Sequence, residues 1–224
     1  MATRGVLAEL VAHCAADPAW PGGGIPVAIE SVGGVDAARR VQGGEVFDLV
    51  VLAADAIDRL IDAGHLVPGS RVDLVHSGVA VAVPAGAPRP DIGTEAALRA
   101  AVLAAPTVGY STGPSGVALL QLFERWGLTA ALQGRLVQAP PGVPVGRLVA
   151  QGAVALGFQQ LSELLGVDGI DLLGPLPDAV QITTTFSAGL GVGAPQPAAA
   201  RAFLAALHTP PAAAIMRRHG MTPA

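Results

Sequence analysis

Apolar positions along the 224-residue chain follow two alternating patterns. Short β-branched runs recur, and between them lie Ala/Leu-rich segments with apolar residues at helical spacing, which together predict an α/β fold with mostly parallel strands. The predicted strands are residues 25–31 (IPVAIES), 47–53 (FDLVVLA), 107–111 (TVGYS), 135–139 (RLVQA), 154–160 (VALGFQQ) and 170–176 (IDLLGPL). Helices lie between them. The one opening near Gly34 puts Val35, Ala38 and Val41 on one face, and the one opening near Ser115 does the same with Leu119, Leu122, Phe123 and Trp126.

Two segments break the alternation. Residues 71–88 (RVDLVHSGVAVAVPAGAP) and 180–195 (VQITTTFSAGLGVGAP) are long, extended and β-rich, and each closes in a Gly/Pro turn. They read as crossings between two lobes: residues 1–83 with 184–224 in the first, residues 84–183 in the second, and the tail from Pro197 packed back on the first. Two α/β lobes joined by two strands predict a cleft, where ligand sites commonly lie.

Composition narrows the function. With 51% hydrophobic and 13% charged residues the chain buries a substantial core and is not disordered. All thirteen basic residues are Arg, and the formal net charge of -4 gives no long-range attraction for nucleic acid or an anionic membrane. The single cysteine, Cys14, excludes an intrachain disulfide and reads as a buried thiol of the first helix. Glu9 and His13 interrupt the N-terminal apolar region, so no signal-peptide pattern is visible. The longest uncharged interval, residues 179–200, is rich in Thr, Gly, Gln and Pro and suits a bilayer poorly. The expectation is a soluble protein without membrane insertion, cytoplasmic as given, or periplasmic if the true start lies upstream. The histidines lack metal-ligand spacing, so neither metal nor cofactor is expected.

The chemistry concentrates where strands give way to helices. YSTGPSG (residues 110–116) is not a Walker loop, having no Lys-Ser/Thr pair, and Pro114 and Gly116 flanking Ser115 rule out the nucleophile elbow. Gly and Ser at a helix start leave backbone N–H groups unpaired with the positive end of the helix dipole behind them, a natural anion cradle. Ser111, Thr112, Ser115 and Gly116 are its candidates; the alternative is that Ser115 merely caps the helix. ESVGGVD repeats the logic: Ser31 ends a strand, Gly33 and Gly34 allow close approach, and Asp36 is either a first-turn acid or a ligand contact. Ala54 and Asp55 mark a third junction, with Asp55 a first-turn acid.

Further candidates are scattered. Gln159 and Gln160 are adjacent on a strand, so only one can enter a given pocket. His76 and Ser77 lie on the first crossing, Thr184 on the second, and Arg147 at a helix start is the arginine best placed as a ligand counterion. Arg39, Arg40, Arg217 and Arg218 read as solvated helix faces.

Three of these stretches together resemble the type 2 periplasmic-binding-protein fold, and within it the molybdate-binding proteins of ABC transporters. They are VQGGEVFDLVVLAADAIDRLIDAGHL (residues 41–66), GPSGVALLQLFERWGL (113–128) and VGRLVAQGAVALGF (145–158). The resemblance implies two lobes closing on a small anionic ligand, with an ABC importer as partner if the protein is exported, and it favours the anion cradle over the simple cap at Ser115. The chain departs from that family in carrying Gly33 and Gly34 where molybdate binders have a serine pair, and Gln159 and Gln160 where they have a tyrosine. The strand and serine that precede the first helix in the family are not seen, so either the start is assigned too late or the first lobe lacks an edge. The fold also has enzymatic members, aconitate isomerase among them. An isomerase of a small di- or tricarboxylate would need a base, for which His76, Asp36 and Glu163 are the candidates.

Overall fold

The computed structural model describes residues 3–16 and 26–224. In chain order the first half forms α1 (Arg4–Ala16), α2 (Gly34–Gln42), β1 (Leu49–Ala53), α3 (Ala54–Asp62), β2 (Val72–Pro84), α4 (Glu95–Ala104), β3 (Val108–Tyr110) and α5 (Pro114–Arg125). The second half forms β4 (Leu136–Gln138), α6 (Val145–Ala150), β5 (Leu156–Gln160), α7 (Leu161–Leu164), β6 (Ile170–Pro175), β7 (Thr183–Leu190), α8 (Pro197–Ala206), α9 (Pro210–Arg218) and β8 (Met221–Pro223).

The chain divides into two units, one comprising the chain up to His76 with Thr185–Ala224 and the other Ser77–Thr184. Both passages occur inside strands, β2 and β7. The exit expected near residue 83 falls instead after His76, because the second half of β2 pairs antiparallel with β5 and β6 and so belongs to the second unit's sheet.

In the first unit β1 pairs antiparallel with β7, and β7 lies beside β2. Val6, Leu10 and Cys14 of α1 pack with Phe203 and Leu204 of α8 and Ile215 and Met216 of α9, so the tail from Pro197 completes this unit's core. One predicted strand is missing. Residues 26–33 have no regular structure, and Ile25 lies outside the described residues. Val27 and Ile29 are 37% and 39% exposed, since no described strand pairs with this segment to cover them. A β-branched run without a neighbour stays an extended loop.

In the second unit β3 runs parallel to both β4 and β5, which brings the C-terminal ends of these strands to one edge. The helices that follow all start at that edge, α5 after β3, α6 after β4 and α7 after β5, as in other open parallel sheets. The sheet separates two faces. On one, Val79, Val81 and Val83 of β2 and Leu156 and Phe158 of β5 pack against Leu119, Leu122 and Phe123 of α5. On the other, Gly157 gives α6 its close approach, for a Cβ there would lie 2.4 Å from a Val149 methyl carbon. The end of α5 is set by Gly127, whose φ of 69° lets Leu128 N–H turn back to the Phe123 carbonyl at 2.9 Å.

A candidate anion site at the start of helix α5

α5 begins with Gly113 as its N-cap, Pro114 in its first turn and no side-chain cap. The reading of Ser115 as the cap is therefore overturned. Ser115 is buried, and its hydroxyl lies 3.2 Å from that of Ser111 instead. The Gly113 carbonyl takes up the N–H groups of Gly116 (2.9 Å) and Val117 (3.3 Å). Among the described residues the N–H groups of Thr112, Gly113 and Ser115 have no partner. Unpaired N–H groups at the positive end of a three-turn helix attract an anion.

Gly116 is required for a reason the sequence did not reveal. Its φ is not in the left-handed region, so conformational freedom is not the issue. A Cβ built there would stand 1.8 Å from the Ser111 carbonyl oxygen, a backbone atom. The loop is folded onto the helix so tightly that only hydrogen fits.

The wall beneath this helix start comes from distant strands. Gln160 closes β5 opposite Val79 of β2. Between β2 and β7, His76 Nδ1 lies 3.0 Å from Thr185 Oγ1 and Val79 N–H donates to the Ile182 carbonyl at 3.0 Å, which sets Ser77 opposite Thr184. Side chains alternate along a strand, so Ser77, Gln160 and Thr184 share the face that carries Val79, Phe158 and α5. Gln160 Nε2 donates to Thr184 Oγ1 at 2.8 Å. Gln160 Oε1 and Ser77 Oγ, both fully enclosed, have no hydrogen-bond partner, and neither has Ser162 Oγ in the first turn of α7. Leaving such a group unpaired costs about 1–3 kcal/mol, so these atoms mark a place for polar company.

Gln159 faces the other way, as alternation requires. Its Oε1 accepts the Gly146 N–H of α6 at 3.1 Å and its Nε2 donates to Glu163. Of the two glutamines, only Gln160 faces the α5 side. Glu163 lies with Gln159, and His76 points to the opposite face of β2 from Ser77. Arg147, an exposed residue beside the buried Val145 and Gly146 at the start of α6, makes no side-chain hydrogen bond among the described residues.

The remaining candidates belong to the first unit. Gly33 is the N-cap of α2, which begins at Gly34, and a Cβ on Gly34 would come 3.7 Å from a Leu52 methyl carbon, so this helix starts beside the end of β1. Ala54 opens α3 after the same strand. Ser31 precedes α2 in the irregular segment and ends no strand. Asp36 pairs with Arg39 at 3.1 Å, and Asp55 with Arg59 at 2.8 Å, as first-turn acids do. Arg40 is not a solvated helix face: it joins Glu30 and Glu45 and lies 5.2 Å over the Phe47 ring. Near His76, the Arg71 guanidinium and then the Ser187 hydroxyl hold the Asp73 carboxyl below the usual carboxylate range. That network spans β2 and β7 and serves the scaffold. Among the described residues no group of His, Cys, Asp and Glu could hold a metal, and no helix is long and apolar enough to cross a membrane.

Comparison with known proteins agrees with this architecture. The chain is 39% identical over 186 residues to the aconitate isomerase of a Pseudomonas species, covering 83% of this chain and 71% of that enzyme. The periplasmic molybdate-binding protein of Azotobacter vinelandii superposes with a TM-score of 0.78 at 22% identity, over 98% of this chain and 95% of the other. The sulfate-binding protein SubI of Mycobacterium tuberculosis does so with a TM-score of 0.77 at 18% identity, over 97% and 82%. These two likenesses establish the periplasmic-binding-protein fold. Residues 1–222 match the family model described as bacterial extracellular solute-binding protein, and the chain belongs to that family.

Proposed function

We propose that the protein binds a small carboxylate or oxyanion, held by the N–H groups at the start of α5. The observation that carries this reading is the coincidence, at one sheet edge, of those unpaired N–H groups with the buried, unpartnered Ser77 Oγ and Gln160 Oε1. A cradle of dipoles and hydroxyls with no buried counter-charge suits an anion whose charge is spread over several oxygens. Carboxylates are favoured over tetrahedral oxyanions, since the 39% identical relative is named for a tricarboxylate.

A thermal-shift screen tests this reading. A ligand present at about one hundred times its Kd adds roughly 2.7 kcal/mol of stability, so trans-aconitate, citrate or a dicarboxylate is expected to raise Tm more than molybdate or sulfate. A response to molybdate alone would overturn the preference for carboxylates, and no response to any anion would overturn the site.

The identity to aconitate isomerase favours a second reading, isomerisation of a small di- or tricarboxylate at the same site. Moving an allylic proton needs a base, and the N–H groups of α5 would stabilise the enediolate-like charge. Conversion of trans-aconitate followed by proton NMR separates the two readings. Membership in the solute-binding family suggests an ABC importer as partner if the protein is exported, and fractionation of the native cell decides where it acts.

A further inference from the structure

The row of side chains beneath α5 changes character along its length. Leu156 and Phe158 on β5 and Val83, Val81 and Val79 on β2 are apolar and packed. At the edge where α5 begins, the same row continues as Gln160 and Ser77, with Thr184 opposite. Their exposures are 6%, 0% and 9%, so the polar end is as enclosed as the apolar one. A purely structural row would have continued apolar, because buried polar atoms without partners destabilise a core.

None of the three side chains carries charge. They lie off the axis of α5, outside the reach of its dipole, so an uncharged hydroxyl or carbonyl suits them better than a second carboxylate. Thr184 Oγ1 both gives and takes hydrogen bonds, so by a flip of its amide Gln160 presents either an acceptor or a donor to the ligand. A hydroxyl and a carbonyl both fit. The β3–β5 register, Val108 with Leu156 and Gly109 with Gly157, brings Thr112 level with Gln160 when continued past the strand end. Adjacent strands lie about 4.8 Å apart, so the α5 cradle and the neutral trio are separated by roughly the length of a short carbon chain.

We infer that the second unit reads a two-headed ligand: one carboxylate on the N–H groups of α5, and an uncharged hydroxyl or carbonyl oxygen on Gln160 and Ser77. The ligand class is hydroxy- or oxo-carboxylates in preference to their plain counterparts. This inference rests on the anion reading above and sharpens it.

Calorimetric titration with matched acids tests it: malate against succinate, and 2-oxoglutarate against glutarate, on the wild-type chain and on Gln160→Met and Ser77→Ala. The wild type is expected to bind the oxygenated member of at least one pair ten times or more tightly. Each variant is expected to reduce that preference to threefold or less. Either variant suffices if the other does not fold. Equal binding within both pairs by the wild type, or a preference that survives in every folded variant, overturns the inference and leaves the anion site standing. Failure of all four acids, with molybdate and sulfate equally inert, overturns both.

Discussion

Two helices of the molecule begin in nearly the same way and end up in different surroundings. α2 and α5 both have a glycine N-cap, no side-chain cap, and first-turn N–H groups without partners among the described residues. At α5 the next turn is locked down: Ser115 is buried, Gly116 is pressed against the Ser111 carbonyl, and the adjoining sheet turns polar at Ser77 and Gln160. At α2 the same sequence grammar lies open. Val35 is 68% exposed, Asp36 is spent on an exposed pair with Arg39, and the segment before the helix has no strand partner among the described residues. A helix start with glycines and hydroxyls is thus a local capacity for binding anions. On the proposal made above, it becomes a preorganised site where distant strands supply a wall, because fixed dipoles need no ordering when the ligand arrives.

Substituting the two glycines breaks this comparison most sharply. Gly116→Ala forces a methyl group into the Ser111 carbonyl, so affinity for the best anion of the screen is expected to fall by at least about a hundredfold, with a loss of stability of a few kcal/mol typical of overpacking. The matching Gly33→Ala meets only Asp36 Oδ2, at 3.5 Å, and is expected to change affinity by less than about threefold, within what one ordinary contact is worth. Comparable effects of the two changes, measured by calorimetry and thermal melting, would erase the distinction between the helices.

The next effect in size is that of Ser115→Ala. It removes the hydroxyl that lies 3.2 Å from Ser111 but no backbone N–H, so the expected loss of binding is about 1 kcal/mol, roughly fivefold. A loss of turnover at unchanged affinity would instead identify Ser115 as a nucleophile. Arg147→Ala is smaller still: an exposed arginine without side-chain partners among the described residues contributes through solvent, so a loss of about threefold at low salt is expected to vanish near 1 M salt. Smallest is Asp36→Asn, which breaks a pair whose members are 73% and 53% exposed and should shift Tm and affinity negligibly.

How much of this was legible in the sequence depends on the range of the forces involved. Helix starts at Gly34 and beside Ser115, the strands other than residues 25–31, and the two long crossings follow from local periodicity and turn chemistry. The rule that Gln159 and Gln160 face opposite sides follows from strand alternation, but which of them meets α5 is decided by pairing with β2, far away in sequence. The exit of the chain after His76, the close approach at Gly116 and the unpartnered hydroxyl of Ser162 are likewise products of tertiary contact. IPVAIES carries strong strand propensity, yet with no partner strand among the described residues it is irregular from residue 26 onward.

In the proposed complex the backbone N–H groups at the start of α5 hold the anion. The most direct measurement is a titration of the isotope-labelled protein with trans-aconitate or malate, following amide proton and nitrogen shifts. The amides of Thr112, Gly113 and Ser115 are expected to move most, downfield and in step with the thermal stabilisation, while those of Val35 and Asp36 move less. Saturable binding that leaves the three α5 amides in place and shifts the α2 amides instead would contradict the account.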